Sequence, residues 1–145
     1  SAFEWYKSDQ GKGMAYWYKL KGPWKDKFNN DVPNDGISLQ EEQNDPSSLW
    51  NFYRKMIALH QSNPVLIAGS YKTIENNNDQ VYTFERLLGG KKVIIAVNLS
   101  GESQDAVIKA NAPALKNLFG SIKPVISSGS VSASLPAYAI AVWEN

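Results

Sequence analysis

Few side chains in this sequence pair a reactive type with the spacing that chemistry would need. His60 is the single histidine. It falls near the centre of an apolar helical arc, close to where that helix ends. A catalytic imidazole needs a nucleophile and an orienting acid, and no G-x-S-x-G elbow or comparable pattern accompanies it. The reading is a packed histidine at a helix C-terminus. Glu41 and Glu42 are neighbouring carboxylates. Adjacent residues point in different directions on a helix or a strand, so the pair reads as solvated charge ahead of the helix. Asp31, Asn34 and Asp35 miss the D-x-[DN]-x-[DN]-G spacing and closing glutamate of a calcium loop, and a turn explains them better. Gly11-Lys12-Gly13 lacks the G-x-x-x-x-G-K-[ST] frame of a phosphate loop.

The aromatic residues offer more. Trp5, Tyr6, Tyr16, Trp17, Tyr18, Trp24 and Phe28 lie among Gly, Lys, Asn and Asp. Flat apolar sugar faces stack on such rings while nearby polar groups bond the hydroxyls. The same rings could instead fill a gap against a body outside this chain. Exposed aromatic patches mark contact surfaces of either kind, and both readings stay open on the residues alone.

Composition narrows the field. The chain has 145 residues, a formal net charge of +1 and no cysteine. The charge balance lacks the basic excess of a nucleic-acid footprint. No cysteine means no disulfide framework, thiolate metal site or Cys nucleophile. No run of 18 apolar residues suits a membrane span, and the first residues lack the pattern of a signal peptide. A complete (β/α)8 barrel needs about 250 residues, more than are present.

The elements fall into three zones. Over 1–44, glycines, prolines and asparagines interrupt any helical or strand period. Residues 45–63 read as a helix, with Asp45 as N-cap, Pro46 in the first helical position and Asn63-Pro64 as the stop. Leu49, Trp50, Phe52, Tyr53, Met56, Ile57 and Leu59 occupy one half of that helix at about 100° per residue. So wide an arc suggests a helix wedged between two bodies. Exposed Trp50 and Phe52 surface, and a tendency to associate, are expected of the piece alone. Residues 69–145 read as β: strands at 71–74, 81–88, 92–99 and 137–143, and weaker ones at 105–109, 115–119 and 122–126. Gly89-Gly90 signals a hairpin, and Ser127–Ser130 reads as a flexible loop. The apolar run Val93–Val97 implies a strand covered on both faces. Six to eight short strands suggest an antiparallel sandwich.

Several of these stretches resemble one family. Asp45-Pro46-Ser47-Ser48-Leu49-Trp50-Asn51-Phe52-Tyr53-Arg54-Lys55-Met56-Ile57-Ala58-Leu59-His60, continuing through Asn63-Pro64-Val65-Leu66 into Gly69-Ser70-Tyr71, resembles the last barrel helix of the α-amylase family, glycoside hydrolase family 13. Gly36-Ile37-Ser38-Leu39-Gln40-Glu41-Glu42-Gln43 resembles its "VEEQ" segment. Phe3-Glu4-Trp5 is similar to the end of the R-x-P-[MF]-x-W motif after the eighth barrel strand. Tyr82–Arg86, Val93–Ser100 and Leu135–Tyr138 resemble parts of the family's C-terminal sandwich. Two positions depart from the pattern: His60 stands where the family usually has Arg, and Ser1-Ala2 where an Arg-x-Pro start is expected.

The resemblance implies an α+β fragment. Residues 1–68 would be the C-terminal end of a catalytic barrel, with the post-strand-8 loop and helix 8. Residues 69–145 would be an all-β antiparallel sandwich domain. It implies retaining hydrolysis or transfer at α-glucosidic bonds, with two carboxylates flanking the bond. In the family these acids and a third follow the fourth, fifth and seventh barrel strands, upstream of residue 1. No catalytic or metal-binding residue therefore carries over to this chain. Trp5 and Tyr6 would sit at the rim of the substrate cleft, since active sites lie at the loop face of such barrels. The short amylases fit better than the oligo-1,6-glucosidases or trehalose synthases. The implied partners are an α-glucan polysaccharide or oligosaccharide and the remaining barrel of the same enzyme, with no nucleic acid and no membrane. An extracellular location is favoured, and no cofactor is assigned. The alternative reading is a non-catalytic carbohydrate-binding or structural β-sandwich module.

Overall fold

The structure is a computed structural model that describes residues 4–7 and 36–145. It groups the chain into two compact units, 1–57 and 58–145.

In the first unit, helix α1 spans Leu39–Asn44. Its start is written in the sequence as Ser38-x-x-Glu41, a capping box. The Glu41 N–H donates to Ser38 Oγ (3.3 Å), and the Ser38 N–H donates back to the Glu41 carboxylate (3.3 Å). The stretch read as lacking any period therefore ends in a helix, because capping rather than periodicity defines a helix this short. Glu41 is likewise no idle solvated charge. Glu42 also has a task, accepting the Trp50 N–H at 3.2 Å.

Helix α2 spans Leu49–Ser62, four residues later than the expected cap at Asp45. Asp45 instead turns the chain: its Oδ1 accepts the Ser47 N–H at 2.8 Å and the Ser47 hydroxyl at 2.6 Å. Ser48 takes the capping place, its Oγ accepting the Asn51 N–H at 3.2 Å. Ser48 Oγ and Asn51 Nδ2 then reach back to the Glu42 carbonyl at 2.6 and 2.9 Å. Carbonyls at the end of α1, which lack intrahelical partners, are thus satisfied by the start of α2.

In the second unit, after the last residues of α2, helix α3 spans Pro64–Ala68. Asn63-Pro64 ends one helix, as expected, and also begins another. The Asn63 side chain accepts the Val65 and Leu66 N–H groups, while Pro64 fills the first helical position, where its missing N–H is no loss. Asn63 Nδ2 also donates to Glu144 Oε1 at 2.8 Å, tying α3 to the last strand.

Eight strands follow: β1 Ser70–Thr73, β2 Val81–Leu88, β3 Lys91–Asn98, β4 Gln104–Ile108, β5 Lys116–Phe119, β6 Val125–Ser127, β7 Ser130–Leu135 and β8 Ile140–Glu144. They form a five-stranded sheet ordered β1-β2-β3-β8-β5 and a three-stranded sheet ordered β4-β7-β6. Every ladder is antiparallel. Gly89 and Gly90, at φ 57° and 84°, form the expected hairpin turn between Leu88 and Lys91.

Ser127–Ser130 is not a flexible loop. Ser127 pairs with Ser130, Gly129 turns at φ 75°, and strand β7 follows. That strand alternates strictly, with Val131, Ala133 and Leu135 buried and serines between them. Serine-rich composition hid a period-2 pattern that is plain by position. The closing strand starts at Ile140 rather than Ala137. Tyr138 adopts φ 55°, outside strand geometry.

The core lies between the sheets. Ile94, Ala96, Ala141 and Trp143 from the first sheet pack with Ala106, Ile108, Val131, Ala133 and Leu135 from the second. On the outer face of the first sheet, Val93, Ile95 and Val142 pack with Val65 of α3. Strand β3 is covered on both faces, as its unbroken apolar run implied.

Candidate functional site

The two residues expected at a substrate rim are held by the start of α1. The N–H groups of a helix's first turn lack intrahelical partners and must find others. Here Leu39 N–H donates to the Glu4 carbonyl at 2.9 Å, and Gln40 N–H to the Trp5 carbonyl at 3.2 Å. From the other side, the Lys7 N–H donates to Gln40 Oε1 at 3.2 Å. The Glu4–Lys7 segment is therefore fixed at both ends. Trp5 and Tyr6 lie between, 47% and 42% exposed. Two neighbouring aromatic side chains near half exposure on a bonded backbone can offer ring faces to a ligand.

Ser38, beneath this segment, is buried. Its hydroxyl, first, and then the backbone N–H groups of Gly36 and Ser38 hold the Glu41 carboxyl below its ordinary range, with a smaller contribution from the charge of Lys7. Glu41 is thus a structural anion that fixes the cap. Among the described residues, no group of three or more His, Asp or Glu could hold a metal ion.

His60 lies in the last turn of α2 but is exposed rather than packed. Trp50 and Phe52, expected to be exposed, are half-buried, and the Arg54 guanidinium lies 5.1 Å from the centre of a Trp50 ring. The exposed large apolar residues of α2 are Leu49, Tyr53 and Ile57, spaced by four along one stripe. The Gly11–Gly13 stretch, the turn read at Asp31–Asp35, and the aromatics Tyr16, Trp17, Tyr18, Trp24 and Phe28 lie outside the described residues.

A second aromatic surface escaped the sequence reading. Tyr71 of β1 and Tyr82 and Phe84 of β2 lie on one sheet face, ring centres 5.3 Å apart for Tyr71–Phe84 and 5.7 Å for Tyr82–Phe84. The Tyr71 hydroxyl meets that of Tyr82 and lies 3.2 Å from Thr73 Oγ1. Bonding to Thr73, first, and to Tyr82 lowers the Tyr71 phenol, while bonding to Tyr71 raises that of Tyr82. The signal was available. Residues 82 and 84 share a face by strand period, and the β1–β2 register adds Tyr71.

Comparison with known proteins places this geometry. A solved α-amylase from H. orenii superposes on 99% of the chain with a TM-score of 0.71 and 26% sequence identity. The chain is similar to the C-terminal portion of enzymes of the α-amylase family, glycoside hydrolase family 13. An oligo-1,6-glucosidase of Parageobacillus thermoglucosidasius is 28% identical over 64 residues, 44% of this chain. Alpha-amylase 3 of Dictyoglomus thermophilum is 24% identical over 98 residues, 68% of it. No family model matches. The chain spans a small part of these α-amylase-family relatives: the matched stretches are 11% and 18% of the two sequences, and the chain covers 27% of the solved amylase. The mostly antiparallel architecture is that of the family's C-terminal β-sandwich.

Proposed function

We propose that this chain is the C-terminal part of an α-amylase-type retaining glycosidase acting on α-1,4-glucans such as starch and maltooligosaccharides. The superposition on an α-amylase over 99% of the chain carries this reading. In it, residues 1–68 end the catalytic barrel and 69–145 form the sandwich domain. The nucleophile and the acid that flank the bond in such enzymes lie upstream of residue 1. Trp5 and Tyr6 stand at the cleft rim, where their rings stack on glucosyl units. The chain supplies sugar contact and scaffold and does no bond cleavage by itself.

The matches carry both alpha-amylase and oligo-1,6-glucosidase names. Linkage preference is therefore the sharpest test. Titration of the chain with maltohexaose and with an isomaltooligosaccharide of equal length, followed by tryptophan fluorescence, should show a stronger response to the α-1,4 sugar. Equal or reversed responses would overturn the α-1,4 assignment. No response to either at millimolar sugar would remove Trp5 and Tyr6 from the substrate rim.

A further inference from the structure

We infer that Gln40 is a positioning residue for the sugar-facing pair Trp5 and Tyr6; the inference rests on the rim reading above. Gln40 makes two contacts of opposite sense to one short segment. Its backbone N–H donates to the Trp5 carbonyl at 3.2 Å, and its side-chain Oε1 accepts the Lys7 N–H at 3.2 Å. The two bonds bracket Tyr6 and fix the backbone on both sides of it.

The backbone bond is available to any residue at this position, because it belongs to the first turn of α1. The side-chain bond is not: it needs an acceptor of this length, and Gln or Glu provides one. Ser38 and Glu41 hold the helix end itself through the capping box, independently of the Gln40 side chain. Loss of the Gln40 amide should therefore leave α1 formed and release the Lys7 side of the rim segment. Gln40 is exposed and has an unbranched side chain, so its replacement by Leu keeps helix propensity and opens no cavity. Stacking needs a ring plane held in place before sugar arrives. A freed segment pays its ordering entropy on binding.

The test uses the 145-residue chain labelled with 5-fluorotryptophan. The Trp5 resonance is assigned through Trp5→Phe, and fluorine NMR follows titration with maltohexaose. In Gln40→Leu the Trp5 resonance should move in the sugar-free protein, and the dissociation constant should rise about fivefold, the worth of one intramolecular hydrogen bond. The resonance of the buried Trp143 should stay in place as the check on folding. Gln40→Glu, which keeps an acceptor at the same reach, should restore affinity. Wild-type affinity in Gln40→Leu, with a Trp5 resonance that still responds to sugar, would overturn the positioning role alone. A wild-type Trp5 resonance indifferent to sugar would instead overturn the rim reading on which it rests.

Discussion

Strand β3 and helix α2 are both rich in apolar residues, and they end in opposite surroundings. In β3, Val93, Ile94, Ile95 and Ala96 are all buried. In α2 no side chain is fully buried, and Leu49, Tyr53 and Ile57 stand more than half exposed. The difference lies in neighbours. Strand β3 pairs with β2 and β8, the second sheet covers one face, and Val65 of α3 packs on the other. The periodicity of an element states which face wants cover; it does not state whether the same chain supplies it.

Substitutions in the two regions test whether neighbours make the difference. The largest effect is expected in the sandwich core. Trp143 is fully buried, and its indole N–H donates to the Ile122 carbonyl at 3.0 Å. Trp143→Ala should cost about 3–5 kcal/mol in urea unfolding, from lost burial and the cavity left behind. Asn98 comes next. Its buried amide reaches the carbonyls of Glu102, Leu135 and Pro136 at 2.7, 3.0 and 2.8 Å, and its Oδ1 accepts the Ser100 N–H. Asn98→Ala should cost about 2–3 kcal/mol by the same assay, because those polar groups stay buried without it. Asn63→Ala, which removes the α3 cap, should cost about 1–2 kcal/mol. The smallest effect is expected on α2: Leu49→Ser, Tyr53→Ser or Ile57→Ser should each change stability by less than about 0.5 kcal/mol. A large loss from any of these three would mean that the helix stripe is covered within the chain after all.

The first unit adds a pH signature. Glu41 has a carboxyl held below its ordinary value of 4.5, chiefly by the Ser38 hydroxyl. A depressed folded pKa contributes stability that is present above the unfolded value and lost as pH falls through the folded one. Wild type should therefore outlast Glu41→Gln in thermal unfolding near pH 7, and the two should converge in acid below pH 4.5. A constant difference across that range would assign the effect to something other than the carboxylate.

The sequence made the sandwich legible wherever alternation and turn chemistry agreed. Gly89-Gly90 set the β2–β3 hairpin, and the Val93–Val97 run announced a two-sided strand. Strand β7 was overlooked because serine at every second position lowers mean hydropathy without disturbing alternation. The start of α2 differs from the expected cap for another reason. Asp45 and Ser48 are both good capping types three residues apart, and the choice between them was made by the Glu42 carbonyl, which takes the Ser48 hydroxyl. Helix α1 was readable from Ser38-x-x-Glu41. Trp5 and Tyr6 were proposed for a substrate rim from a resemblance alone, and their segment has a seat in the fold. That seat on Leu39 and Gln40 was not legible in the sequence, since those bonds join residues more than thirty positions apart.

In the proposed function this chain carries sugar contact and scaffold without the acids that cut the bond. Incubation of the purified 145-residue chain with soluble starch, followed by measurement of released reducing ends, tests it most directly. No turnover above the buffer blank is expected. Turnover that disappears when a carboxylate inside this chain, such as Glu42, is changed to its amide would contradict it.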